Sequence, residues 1–321
     1  MKRRDFLGAL GAGVIGLPHI SPIRPPVLRC AALRAGSSAR FIERWSWAMG
    51  QPVHLQLFAE SEAHGYEAAA AALAELRRVE ARLSLFDDAS DLAELNRRAG
   101  RGTLRVGADL ARVLEASLRL DAATGGGFSP AVEPLMRAWG FHARRFSEPG
   151  AKEIDRARAA VKAARIAVDG NRVSLANRES RLDLGGIGVG YGLDRAMQVL
   201  RGAGIRSACL DVSGDCMALG APPGEARGWL VEIASPAGDG QMIARTRLRD
   251  AALATSSNTI SVVHYGRAVR GHVMNPETGW PADCLTQVTV VSRTGIEADA
   301  LSTAMLVSGK PASGVLRYYK V

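Results

Sequence analysis

The sequence predicts an α+β protein with mainly antiparallel sheets and packed helices. Two observations support this. An alanine-rich segment from Glu67 to about Leu85 places Ala72, Leu76, Val79 and Leu83 on one helical face. The second half of the chain instead offers short apolar runs separated by brief turns, as hairpins do and βαβ units do not.

The elements follow in order. Val53 to Phe58 alternates and reads as a strand. The long helix ends at Phe86–Ser90, and Asp91 to Arg97 reads as a short helical turn. Leu110 to Thr124 is a second helix, stopped by three consecutive glycines from Gly125 to Gly127. Arg172–Leu175 and Arg181–Leu184 read as strands, and a helix over about Gly192–Gly202 follows a glycine cluster. Ser207–Val212, Trp229–Ile233, Ala244–Leu248, Thr259–His264 and Ala268–Val273 read as strands, with Gly266 turning the last pair into a hairpin. Thr286–Ser292 is one more strand, and a helix starting near Glu297 closes the pattern.

Composition limits the function classes. The chain has 321 residues, 47% hydrophobic, enough for a sizeable core. No run of twenty apolar residues exists, so no ordinary membrane span is expected. The net charge of +9 is concentrated at the start, where Lys2, Arg3, Arg4, Arg24, Arg29, Arg34 and Arg40 face one acid, Asp5. Aromatics are 5% and no basic run recurs downstream, which argues against a nucleic-acid surface. Lys2–Gly8 followed by the apolar, glycine-rich Ala9–Leu17 resembles a twin-arginine export signal. We therefore expect residues 1–40 to be a signal peptide and linker, residues 41–321 to form the functional domain, and the protein to be periplasmic. Cys30, Cys209, Cys216 and Cys284 include no CxxC pair, so zinc and redox motifs have little support. Cys209 and Cys216 read as buried thiols, with a bridge between them as the alternative.

Two segments suggest chemistry. Asp299 and Thr303, four residues apart on a helix, share one face and offer two hard oxygens, a donor set suited to Mg²⁺. His272 stands beside the turn residues Pro276 and Gly279. Gly185, Gly186, Gly188, Gly190 and Gly192 lie between a strand and a helix, where free N–H groups can face an anion. A Rossmann reading with Asp211 as the ribose acid fits poorly, because a turn follows Asp211 at once and the later strands form hairpins. A tight strand-to-helix crossing without ligand stays open for the glycines. Helix-dipole placement stays open for Asp299, a backbone bond for Thr303 and a plain hairpin position for His272.

Taken together the segments resemble the ApbE family, the FAD:protein FMN transferases, from about Trp47 to Gly309. The resemblance rests on Met49-Gly50, Ser90–Leu92, Leu95-Asn96, Phe128–Leu135, Trp139–Phe141, Asp183–Asp194, Ser213–Asp215, Ala254–Ser256, His272–Gly279 and Ala298–Thr303, in that order. It implies an ApbE-type, T-fold-like mixed fold. It also implies a reaction in which a Ser or Thr hydroxyl of a target protein attacks FAD on the FMN side of its pyrophosphate, with Mg²⁺ bound and AMP released. By resemblance, Asp299, Thr303 and the backbone carbonyl of Gly186 hold the metal, with Ser302 behind them, and His272 is the general base or positions the hydroxyl. Met49, Phe86, Gly127, Phe128, Asp183 and Met274 fall at positions lining the FAD pocket. Ser129 and Val189 fall at pocket positions where many members carry Asp and Lys. Ser213 and Ser257 stand where glycine is usual, and the chain stops soon after Lys310, where many relatives continue with another strand, so a further strand at the C-terminal sheet edge is not expected. The acceptors the family implies are flavin-carrying subunits of membrane-linked electron-transfer systems. The substitutions at Ser129 and Val189 keep two alternatives open, an FAD hydrolase giving FMN and AMP, and an FAD-binding delivery protein without chemistry.

Overall fold

The computed structural model describes residues 39–142 and 147–321. The signal and linker expected over residues 1–40 lie outside the described residues except for Ala39 and Arg40. Among the described residues no helix is long and apolar enough to cross a membrane.

A seven-stranded sheet organises the fold. Its strands are β1 (Arg40–Ala48), β2 (Gln51–Ala59), β6 (Ser207–Val212), β7 (Asp215–Leu219), β10 (Ala251–Ser257), β13 (Gln287–Ser292) and β14 (Arg317–Lys320), side by side in that order. Every neighbouring pair is antiparallel, as expected. Met49 and Gly50 turn β1 into β2 with positive φ at both residues, 55° and 73°, as a two-residue hairpin requires. Ser213 and Gly214 turn β6 into β7, and Ser213 takes φ 54°, a conformation glycine adopts without penalty. Contrary to expectation, the chain does add a strand after Lys310: β14 pairs with β13 and forms the sheet edge, its backbone supplying the ladder that β13 would otherwise leave open.

Helices α1 (Glu62–Leu83) and α6 (Gly188–Gly202) cover one face of this sheet. Their apolar stripes, including Leu76, Leu193, Met197 and Leu200, are almost fully buried with Leu55, Leu57 and Leu210 of the sheet. Each such leucine contributes on the order of 1.5–3 kcal/mol. The hairpin of β8 (Trp229–Ala234) and β9 (Met242–Leu248) covers the other face, burying Phe58, Cys209, Cys216 and Leu253. No disulfide joins these two cysteines.

A second core forms where α2 (Asp91–Arg97), α3 (Ala108–Ala123), α4 (Glu133–Ala138) and α5 (Ala151–Lys162) meet α7 (Gly295–Ser308). The small sheets β3 (Thr103–Arg105) with β5 (Arg172–Leu175) and β4 (Ile166–Asp169), and β11 (Val262–Tyr265) with β12 (Ala268–Gly271), flank it. Helix α7 lies between the two cores and is apolar nearly all round, so its polar residues Asp299 and Ser302 are carried inside.

Arg181–Leu184, expected as a strand, forms no strand and joins no sheet among the described residues. The Asn96 side chain substitutes for one. Its Nδ2 donates to Leu182 O at 2.9 Å and its Oδ1 accepts from Leu182 N at 2.7 Å. Asp183 N donates to Pro130 O. A side chain thus pairs the backbone groups that a ladder would otherwise satisfy. Helix α6 begins at Gly188, inside the glycine cluster and four residues earlier than expected.

Candidate active site

The glycine cluster is where two helix N-termini cross. A Cβ on Gly190 would run into the backbone of Gly295, and a Cβ on Gly295 into the backbone of Gly190. The carboxylate of Asp194 then accepts Gly295 N at 2.7 Å and Ile296 N at 3.0 Å, capping α7 from α6. The same crossing aims Asp299 at the turn, where its Oδ2 accepts Gly190 N at 3.0 Å. One helical turn on, the Thr303 hydroxyl stands against Gly186, 3.0 Å from where a Cβ would lie. The tight-crossing and ligand readings of these glycines are therefore compatible: the close approach is what lets the side chains of α7 reach the turn.

The ring of oxygens continues into the sheet. Ser256 of β10 bonds Ser302 Oγ at 2.8 Å and Thr303 Oγ1 at 3.1 Å, and Ser302 donates to Asp299 O. Asp215 Oδ1 accepts Thr255 N at 2.9 Å. Burial pushes the Asp299 carboxyl well above the usual range, the Asp215 charge adds to this, and the Gly190 N–H opposes it. Burial likewise raises Asp215 to about 7 against the Thr255 N–H, and Asp211 to about 7 against the Gly214 N–H, with Asp215 adding to the rise.

Among the described residues neither Asp215 nor Asp299 has an ion-pair partner, and no three His, Cys, Asp or Glu side chains form a metal cage. Two buried carboxylates in each other's field, with hydroxyls beside them, are a hard-oxygen set that a divalent cation neutralises. Mg²⁺ fits it, because that ion uses few carboxylates and keeps water and phosphate in its shell.

Beside the turn stands a second polar group. Asp183 Oδ1 accepts Gly185 N at 2.7 Å, and its Oδ2 is 3.2 Å from His142 Nε2. His142 Nδ1 is 3.7 Å from Glu133 Oε1, an ion-pair rather than a hydrogen-bond distance. Glu133 is held in turn by Arg137. Burial disfavours the His142 cation, but Asp183 and Glu133 outweigh it and raise the ring to about 9. His272 moves the other way: burial lowers it, while the Ser261 backbone and the Asp183 charge pull against that. Its Nδ1 is buried without a hydrogen-bond partner among the described residues.

The remaining expected residues spread around this centre. Met49 N donates to Glu80 Oε2 at 2.8 Å, and its side chain lies beside Gly192. Phe86 is 70% exposed and presents its ring to His142 at 5.6 Å. Gly127 packs against the α7 backbone at Ala304, and Phe128 is buried in the second core. Ser129 lines a cavity of about 330 Å³ together with Gly125, Gly126, Lys162 and Pro276. Val189 and Met274 are both buried, Val189 in the sheet-side core and Met274 in the other. The His272 segment is anchored by Trp139, whose Nε1 donates to Gly279 O at 2.9 Å.

Sequence reading did not single out His142, Glu133 or Ser256. His142 follows the Trp139–Phe141 motif and is one of six histidines, and that scarcity is the only signal pointing to it. Glu133 and Ser256 lie inside quoted motifs, but nothing in the sequence shows which partner each one faces.

Asp299 and the hydroxyls of Ser256, Ser302 and Thr303 gather at a glycine turn on a mixed antiparallel fold, a candidate enzyme site. The ApbE family model matches residues 49–318, and the chain belongs to the ApbE family. A Treponema pallidum protein named FAD:protein FMN transferase is 32% identical over 257 residues, 75% of this chain and 71% of that one. A Haemophilus influenzae protein of the same name is 27% identical, covering 73% and 70%. Among solved structures, the ApbE protein of Thermotoga maritima superposes with a TM-score of 0.76 at 26% identity, over 84% of this chain and 87% of that one. The flavin transferase ApbE of Vibrio cholerae gives 0.73 at 23% identity, over 88% and 97%, a likeness of fold.

Proposed function

We propose that this protein is an Mg²⁺-dependent FAD:protein FMN transferase that releases AMP and acts in the periplasm after twin-arginine export. Its enzyme class follows from the family and from relatives that bear the transferase name. The observation that carries the finer reading is the convergence of Asp299 and Thr303 on the Gly186–Gly190 turn, with Asp183 and His272 beside it.

The side chains of Asp299 and Thr303 and the carbonyl of Gly186 would hold Mg²⁺. When bound, the ion supplies positive charge against the oxygens of the FAD pyrophosphate. The chain's own residues do the rest. The turn before α6 brings backbone close to the diphosphate. A Ser or Thr hydroxyl of the acceptor forms the new bond to the FMN-side phosphorus, and the bond to AMP breaks. His272, kept neutral by burial and with a free Nδ1, takes the hydroxyl proton. Phe86, exposed beside His142, offers its ring at the rim. The resemblance supports, as acceptor, a flavin-carrying subunit of a membrane-linked electron-transfer system.

The test is to incubate the protein with FAD, Mg²⁺ and an acceptor domain, then measure AMP and protein-linked flavin. Transfer yields both. AMP with free FMN would instead identify a hydrolase, and tight FAD binding without products a carrier. His272→Ala should bind FAD normally but transfer about 10²–10⁴-fold more slowly, and an undiminished rate would remove its role.

A further inference from the structure

The charge of Asp183 acts on two imidazoles. His142 meets its Oδ2 at 3.2 Å, and His272 lies in its field. The His142 and His272 segments are neighbours, with the ring of Phe141 6.4 Å from that of His272. Glu133, the other carboxylate near His142, is already bonded by Arg137 Nε at 2.9 Å. Among the described residues, the charged groups facing this pair are thus Glu133 and Arg137 from α4, and Asp183. Phe86 and Phe141 contribute rings only. With Glu133 matched by Arg137, one carboxylate among the described residues is left to face two histidines, enough to hold one imidazolium and not two.

We propose that His142 is a positioning residue for flavin transfer: by taking Asp183 as its ion-pair partner, it leaves His272 the neutral imidazole that can accept a proton. The proposal rests on the transfer reading above. Geometry decides which ring is charged. His142 sits in direct contact with Asp183 and within ion-pair distance of Glu133. Among the described residues His272 has no carboxylate within ion-pair distance, whereas His142 has two, and the Nδ1 of each ring lacks a hydrogen-bond partner there. The opposite directions in which the two rings are shifted agree with this division, and groups pushed apart in this way separate into fixed charge and working base.

With His142 neutral, Asp183 would keep its bond from Gly185 N but lose its ion-pair partner, and its charge would act on His272 alone. His272 would then hold a proton to higher pH and lose its role as base over that range. A carboxylate within about 4–6 Å raises a neighbouring cation's pKa by about one unit or more.

The experiment uses the full chain, with His142→Gln, Asp183→Asn and the double variant. Two readouts run together across roughly pH 5 to 10: kcat/KM for transfer, and ¹⁵N NMR titration of the histidine rings without substrate. In His142→Gln the acid limb of kcat/KM and the His272 titration should both rise, by about one unit or more. In Asp183→Asn both should fall, and the double variant should return to the wild-type position or below it. A folded His142→Gln in which neither readout moves overturns the proposal, as does a double variant as displaced as His142→Gln. If His142→Gln does not fold, the sign of the Asp183→Asn shift decides. If the wild type transfers no flavin, the transfer reading fails alone, and the ring titrations still test His142.

Discussion

Gly190→Ala tests the helix crossing on which the site depends. A Cβ at this position would lie 2.5 Å from the carbonyl carbon of Gly295 and 2.8 Å from Cβ of Asp299. Ordinary contact needs about 1 Å more, and the first obstacle is backbone, which cannot rotate away. Overpacking of this kind costs about 1–3 kcal/mol. Stretching the Gly190 N–H bond to the buried Asp299 carboxylate adds about 1–3 kcal/mol. Replacing glycine by alanine in a helix returns about 1 kcal/mol. The expected net loss is about 2–4 kcal/mol, a fall in Tm of about 5–15 °C for a domain of this size. Gly188→Ala is the internal control. Nothing lies within 4 Å of its added Cβ, so stability should stay within about 1 kcal/mol of wild type. Thermal unfolding read by circular dichroism, with Mg²⁺-dependent transfer measured alongside, checks both. A Gly190→Ala protein with wild-type Tm and unchanged Mg²⁺ dependence would refute the crossing as the device that aims Asp299.

Three further outcomes are expected. Asp299→Asn keeps an acceptor for Gly190 N–H but removes a buried charge, so the metal-free protein should melt higher than wild type while Mg²⁺-stimulated turnover is lost; a lower metal-free Tm would count against the burial argument. The His142–Asp183 pair makes stability depend on pH. His142 is raised from 6.5 to about 9, so its contribution is complete below pH 6.5 and lost as pH climbs through 9. Asp183 is lowered, so the same pair also weakens in acid, as pH falls below the usual carboxylate range. Urea unfolding of wild type and His142→Gln should differ by up to about 3 kcal/mol at pH 6 and converge by pH 10, and a pH-independent difference would contradict the ion pair. Trp139→Phe removes the only bond donated to Gly279 O by that ring and leaves a buried carbonyl unpaired, which should destabilise by about 1–3 kcal/mol and weaken transfer through His272; an unchanged Tm would show that the segment is held elsewhere.

The sequence made some elements legible because their signals are local. The 3.6-residue apolar repeat in α1 and the i, i+4 spacing of Asp299 and Thr303 depend only on neighbours in the chain. So does the Gly266 turn, which joins β11 to β12 at φ 60°. Strand β1 gave no such signal, since Trp45 and Trp47 stay exposed on its outer side at the sheet edge. The Arg181–Leu184 segment read as a strand from its local pattern, while the partner of Leu182, the Asn96 side chain, lies 86 positions away.

By itself, then, the chain's order of residues determined the α+β class, the family and the pairing of a carboxylate with a hydroxyl on one helix face. Only tertiary structure decided that this helix would be buried between two cores, that Gly190 would meet Gly295, and that His142 rather than His272 would take the Asp183 charge. The physical reason is range. Periodicity and turn chemistry act over a few residues, whereas desolvation and charge sharing depend on which distant side chains the packed fold leaves without water.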